Sequence, residues 1–169
     1  MSKIFVLLIL LINFIYAQNV VALLKRVENN ALLHMSYKQQ PFLCQPYAVE
    51  TVPELLNRTD VNSTCKNYLR EFRLAYPKEK AYAASSLHIQ QQYSVSSMDG
   101  KCLLHLSSGY TYSEALVEKG YARLIPSYIF EDSVIEYRFK RAVKRAKVKK
   151  AGIWSDVNVE NCFLLPPKK

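Results

Sequence analysis

The sequence predicts an α+β fold: a five-stranded antiparallel β-barrel of the OB type, carrying three helices. Three observations predict it. Apolar-rich runs of strand length are separated by short polar turns, and other segments carry the 3.6-residue period of helices. Their order is three strands, a helix, two strands and two further helices, which is the order of an OB barrel. The chain has 169 residues, 50% of them hydrophobic, with only 4 Gly and 7 Pro. That is enough for one domain with a proper core, too apolar for disorder, and too poor in Gly and Pro for a collagen-like repeat.

The N-terminus reads as an export signal. Lys3 precedes an apolar run from Ile4 to Tyr16, broken only by Asn13, and Ala17 supplies a small residue for cleavage. Such a run is too short for a relaxed membrane helix and matches the core of a signal peptide, with an uncleaved N-terminal anchor as the alternative. The expected organisation is a signal over 1–17, one domain over 18–156 and a tail over 157–169. No stable membrane span remains after cleavage, and the location is periplasmic or extracellular. Lys and Arg number 23 against 14 Asp and Glu, so the domain is basic.

Val20 to Val27, Ala31 to Tyr37 and Phe42 to Val49 are the first three strands. Glu28-Asn29-Asn30 and Lys38-Gln39-Gln40-Pro41 form the turns between them. A helix follows, because Cys65, Tyr68, Leu69, Phe72, Ala75 and Tyr76 share one face and Asn62, Ser63 and Thr64 are all N-cap types. Pro77 ends this helix or restarts it as a first-turn proline. Leu87 to Val95 and Cys102 to Leu106 are the next strand pair, around Gly100. Tyr112 to Lys119 is a short helix stopped by Gly120. Glu131 to Ala151 is a long one stopped by Gly152, with Ile135, Phe139, Ala142, Ala146 and Ile153 on its buried side.

Export sets the reading of Cys44, Cys65, Cys102 and Cys162. They lack C-x-x-C spacing, and an oxidising compartment favours two disulfides, with three connectivities open. His34 and His105 fall in strands and are read as packing or solvent-facing residues.

Ser113-Glu114-Ala115-Leu116-Val117-Glu118-Lys119-Gly120-Tyr121-Ala122, a basic helix, and then Ala151-Gly152-Ile153-Trp154-Ser155 carry a resemblance. With the Lys38-Gln39-Gln40-Pro41 turn and Val49-Glu50-Thr51-Val52-Pro53-Glu54, this stretch resembles the staphylococcal nuclease, or thermonuclease-like, family. The resemblance spans roughly residues 21 to 156. It implies an OB fold and Ca²⁺-dependent cleavage of phosphodiester bonds. That chemistry needs carboxylates for the metal and the attacking water, and two guanidiniums for the transition state.

The implied catalytic set is degraded. The family's Asp-Gly-Asp-Thr metal turn corresponds to Glu28-Asn29-Asn30-Ala31, or one residue later, so Asn30 or Ala31 replaces a metal carboxylate. The other metal position corresponds to Glu50, beside Thr51. The general base corresponds to Glu54, displaced by the insertion of Val52. The two arginines correspond to Gln45 and to Lys101 of Asp99-Gly100-Lys101. Losing one charge-stabilising donor costs on the order of 10²–10³ in rate. The expectation is therefore a non-catalytic or weakly catalytic envelope protein that binds nucleic acid, another polyanion or a protein partner. The alternatives are an active secreted nuclease using Glu50, Glu54, Lys101 and Ca²⁺, and a structural scaffold.

In the implied barrel the third and fifth strands are neighbours. With Gln45 and Lys101 facing the phosphate site, Cys44 and Cys102 share the opposite face, which pairs Cys44 with Cys102 and leaves Cys65 for Cys162.

Eight of the thirteen residues from Arg138 to Lys150 are basic and none is acidic. Arg138, Arg141, Arg145 and Lys149 form one stripe, a candidate surface for nucleic acid or another polyanion. Tyr110, Tyr112, Tyr121 and Tyr128 are candidates for base stacking. Asn57-Arg58-Thr59 and Asn62-Ser63-Thr64 match the N-glycosylation sequon, and Asp60 gives the second the extended acidic form used by some bacteria.

Overall fold

The computed structural model describes residues 19–163 except 99 and 127. The export segment expected over 1–17 lies outside the described residues, as does 164–169 of the tail. Strands β1 (Asn19–Asn29), β2 (Leu32–Tyr37) and β3 (Gln40–Cys44) form an antiparallel meander. Lys38 and Gln39 both have positive φ, 47° and 68°, which fits a two-residue hairpin whose twist matches its strands. The first half of β1 pairs with β5 (Gln92–Met98), which pairs in turn with β6 (Lys101–His105).

The expected barrel is corrected by this topology. The sheet is open, in the order β3-β2-β1-β5-β6, and a second sheet pairs only β4 (Val49–Thr51) with β7 (Ala122–Leu124). Between the edges β3 and β6 there is one isolated parallel bridge. Cys102 N–H donates to the Gln45 carbonyl, and Tyr47 N–H to the Cys102 carbonyl. The reason lies in the sequence there. Pro46 has no N–H to offer a ladder, and Ala48 at φ 59° turns the chain away into β4. The single third strand expected over 42–49 is thereby split in two.

Six α-helices are present among the described residues, where three were expected. They are α1 (Val52–Asn57), α2 (Ser63–Ala75), α3 (Pro77–Ser86), α4 (Tyr112–Glu118), α5 (Ser133–Val148) and α6 (Val157–Phe163). Asn62 caps α2 by accepting Cys65 N–H at 2.8 Å, and Pro77 restarts the chain as α3. Asp132 caps α5, whose Phe139, Ala142 and Ala146 are buried. Leu24, Leu33, Met35, Leu104, Leu116 and Phe139 belong to one core beneath the large sheet. Val52, Leu55, Leu69, Phe72, Ala146, Ile153 and Trp154 form a second, under α1 and α2.

Two disulfides join distant segments. Cys44–Cys102 ties β3 to β6, and Cys65–Cys162 ties α2 to α6, each with Cα atoms 5.4 Å apart. Gly120 after α4 and Gly152 after α5 both have positive φ and pack backbone to backbone. A Cβ on Gly120 would overlap the Ala151 carbonyl, and one on Gly152 the Gly120 carbonyl. Only glycine permits this approach, which places the end of α5 against the end of α4.

Candidate functional site

Thr51 ends β4 and is the N-cap of α1, where Val52 and Pro53 occupy the first turn and Glu54 the third helical position. Glu54 Oε2 accepts from the Thr51 N–H at 2.7 Å and from its hydroxyl at 2.8 Å, a reciprocal capping box. Val52 is wholly buried in the first turn, and Glu54 takes the third helical position, from which it reaches back to Thr51. Its other oxygen lies 3.8 Å from Lys101 Nζ. Burial raises the Glu54 carboxyl above the ordinary glutamate range, opposed by the Thr51 N–H and the Lys101 charge.

Glu50, on β4, is held by two arginines. Arg123 from β7 donates through Nε to Oε2 at 2.8 Å and through a terminal nitrogen to the same oxygen. Arg58, past the end of α1, donates to both Glu50 oxygens at 3.0 and 3.1 Å, and its other edge grips Asp60. Arg123 is 2% exposed. Each guanidinium fork matches a carboxylate geometry, so the assembly is a structural ion network spanning β4, β7 and the loop after α1.

Of the residues assigned to metal or catalytic roles, the fold brings together Glu50, Thr51, Glu54 and Lys101. Asn30 lies elsewhere. Its Nδ2 donates to the Glu79 carbonyl at 2.6 Å and to its carboxylate at 3.0 Å, and its Oδ1 accepts Ala83 N–H at 2.9 Å. It thereby docks the β1–β2 turn on α3. The Gln45 side chain is exposed, and its backbone serves the Cys102 bridge. With both Glu50 oxygens taken by arginines and Glu54 engaged as a cap, no pair of carboxylates is left open. Among the described residues no group of three His, Cys, Asp or Glu is placed to hold a metal ion. The expectation of a Ca²⁺-dependent nuclease, active or decayed, is corrected accordingly.

The sequence reading missed Arg58 and Arg123. Arg123 carried a signal, as a lone arginine between the apolar Ala122 and Leu124 of a strand. Arg58 carried none beyond its nearness to Asp60.

The basic helix α5 is the other candidate. Its cations divide into two populations. Arg138 donates to both Glu114 oxygens at 2.7 and 2.8 Å and to the Gly109 carbonyl. Arg145 reaches the Tyr110 hydroxyl at 3.0 Å and Glu118 at 3.5 Å, and Lys149 reaches Glu118 at 3.4 Å. These three predicted stripe residues therefore turn toward α4. Among the described residues, Arg141 is the stripe residue without a carboxylate within ion-pair distance, and Lys144 shares that condition. Both border a groove of about 530 Å³ along the outer face of α5, with Tyr137 and Val148. Tyr137 is 64% exposed. Of the tyrosines expected to stack bases, Tyr112 is buried and Tyr128 packs edge-on against Tyr47 and Phe130. Tyr121 packs against Tyr82, and only Tyr110 stays substantially exposed. Tyr137 was not singled out by sequence, although its spacing from Arg141 and Lys144 was visible.

The fold and the site define a disulfide-linked α+β domain with a cationic helix face. No protein-family model matches the chain, and no curated protein matches it. The resemblance to the staphylococcal nuclease family therefore finds no support, and the open sheet lacks the closed barrel that the family requires. No helix among the described residues is long and apolar enough to cross a membrane.

Proposed function

We propose that the chain binds a phosphate-rich polyanion along the outer face of α5, with single-stranded nucleic acid as its representative. One observation carries this reading. Tyr137, Arg141, Lys144 and Val148 lie at i, i+4, i+7 and i+11 on one exposed stripe, and neither Arg141 nor Lys144 is neutralised by a carboxylate of the described fold. Cations so placed attract phosphates and release counterions, and an exposed ring between them offers a face to a base. The two disulfides support an oxidising compartment as the place where it works.

The local charge gives a magnitude. Eight cations lie between Arg138 and Lys150, and the carboxylates of Glu114, Glu118, Glu136 and Glu160 lie within reach of five of them. Three to four effective phosphate contacts give a slope of log affinity on log salt of about −2 to −3 for a single strand. Between about 50 and about 200 mM salt, affinity should fall roughly 20- to 60-fold. The measurement is fluorescence anisotropy of a labelled single-stranded oligonucleotide, beside inorganic polyphosphate as competitor. Arg141→Glu with Lys144→Glu should abolish most of the binding without lowering the melting temperature. Tyr137→Ala should weaken the oligonucleotide and leave polyphosphate unchanged if bases stack there. Equal weakening of both would make the ligand a phosphate chain rather than a nucleic acid. Absence of binding at the lower salt, or a response flat in salt, refutes the proposal.

A further inference from the structure

We propose that Asn62 is an acceptor site for an N-linked oligosaccharide. Both sequons of the chain fall in one segment, 57–64, in which Asn57, Thr59, Asp60, Asn62, Ser63 and Thr64 are exposed, while Val61 is buried and Arg58 half-buried. A sequon needs a surface position to carry a glycan, and this segment forms the exposed link between α1 and α2.

The structure separates the two sequons. In Asn57-Arg58-Thr59 the central guanidinium is clamped between Glu50 and Asp60, which pins that tripeptide to the ion network. In Asn62-Ser63-Thr64 all three side chains are exposed, and Asp60 stands two residues upstream, at the acidic position of the extended sequon, with its carboxylate held by Arg58. Asn62 is extended, with φ −66° and ψ 162°, and is the N-cap of α2. Its Oδ1 is occupied by the Cys65 N–H at 2.8 Å. Transfer uses the other side of the amide, so the cap and the modification do not compete.

The step balances simply. Asn62 Nδ2 attacks the anomeric carbon of an oligosaccharide carried on a lipid pyrophosphate. The N–C bond forms as the C–O bond to the pyrophosphate breaks, and the lipid pyrophosphate leaves with the electron pair. One Nδ2 proton passes to the transferase's base. The product keeps the Asn62 carbonyl oxygen and thus the α2 cap. Three residues on, Cys65 is bonded to Cys162, which fits the oxidising setting in which such transferases work. The inference is independent of the polyanion reading, since Asn62 caps α2 and stands apart from α5.

The test is the intact mass of the full chain purified from the cells that naturally make it, with mass-spectrometric mapping of the glycopeptide. Thr64→Val and Thr64→Ser would be expressed in the same cells. The expected result is one oligosaccharide at Asn62, lost in Thr64→Val and retained in Thr64→Ser. Thr64 is exposed and Asn62 keeps its cap in both variants, so loss of mass is not loss of fold. A bare-chain mass, a glycan that survives Thr64→Val, or one mapped only to Asn57 overturns the proposal.

Discussion

Glu50→Gln is the substitution that separates a structural ion network from an open catalytic site. In the folded chain Glu50 answers two guanidiniums, Arg123 at 2% and Arg58 at 11% side-chain exposure. The amide keeps the shape and one acceptor oxygen but removes the charge. Breaking a buried pair by removing one partner costs about 3–5 kcal/mol. The amide oxygen still accepts, and Asp60 still holds one edge of Arg58, so the low end applies, about 3 kcal/mol. For a chain of this size that corresponds to a melting temperature lowered by about 6–12 °C. Denaturant unfolding by far-UV circular dichroism, with the slope checked for two-state behaviour, reads the same quantity independently. A loss below about 1 kcal/mol would refute the reasoning, because it would mean that the arginines reach solvent or another anion once Glu50 is neutral.

Two further outcomes follow from the geometry. Gly152→Ala places a Cβ against the Gly120 carbonyl at φ 53°, so it should cost on the order of 2–4 kcal/mol; a thermal melt within a degree of the parent would show that the α4 and α5 ends separate freely. Glu54 has its carboxyl raised by burial, so the folded state holds that proton more tightly than the unfolded state does. Stability from this group is then greatest at low pH and is lost as pH rises through the range above the ordinary glutamate value. Glu54→Gln, which retains an acceptor for the Thr51 N–H, should therefore gain stability relative to the parent as pH rises through that range. A parent–variant difference that is flat or of opposite sign across a pH series of denaturant titrations would show that Lys101 and the cap outweigh burial.

Local features were legible in the sequence because local physics decides them. Asn62 and Pro77 mark helix starts, and Gly120 and Gly152 mark helix ends, since side-chain capping, a fixed φ and a missing Cβ act within a few residues. Phe139, Ala142 and Ala146 show their buried face by spacing alone. Closure of the sheet was not legible. Strand count and order suit a barrel, but whether two edges zip depends on a few residues at the seam, here Pro46 and Ala48. The ion network was hidden for a related reason. Arg123 meets Glu50 from a strand 73 positions away, and nothing in either neighbourhood announces the other. Asn30, placed by resemblance in a metal turn, instead binds Glu79 and Ala83 of a helix that the sequence left undecided at Pro77.

The cations of α5 show why a count of basic residues overstates a binding surface. Glu114 and Glu118 stand one turn apart on α4 and face α5, where Arg138, Arg145 and Lys149 recur at intervals of seven and four. Two carboxylates on one helix thus engage three cations on the next, and the contact fixes how α5 lies on α4. Glu114 is only 3% exposed and also caps α4 through Thr111, so its bond to Arg138 belongs to the fold. Giving Arg138 to a ligand would leave a buried carboxylate unpaired, and that cost opposes binding. Arg141 and Lys144 carry no such obligation to the described fold. A polyanion approaching α5 is therefore drawn to the flank where Arg141 and Lys144 stand, and the ring of Tyr137 lines the same groove.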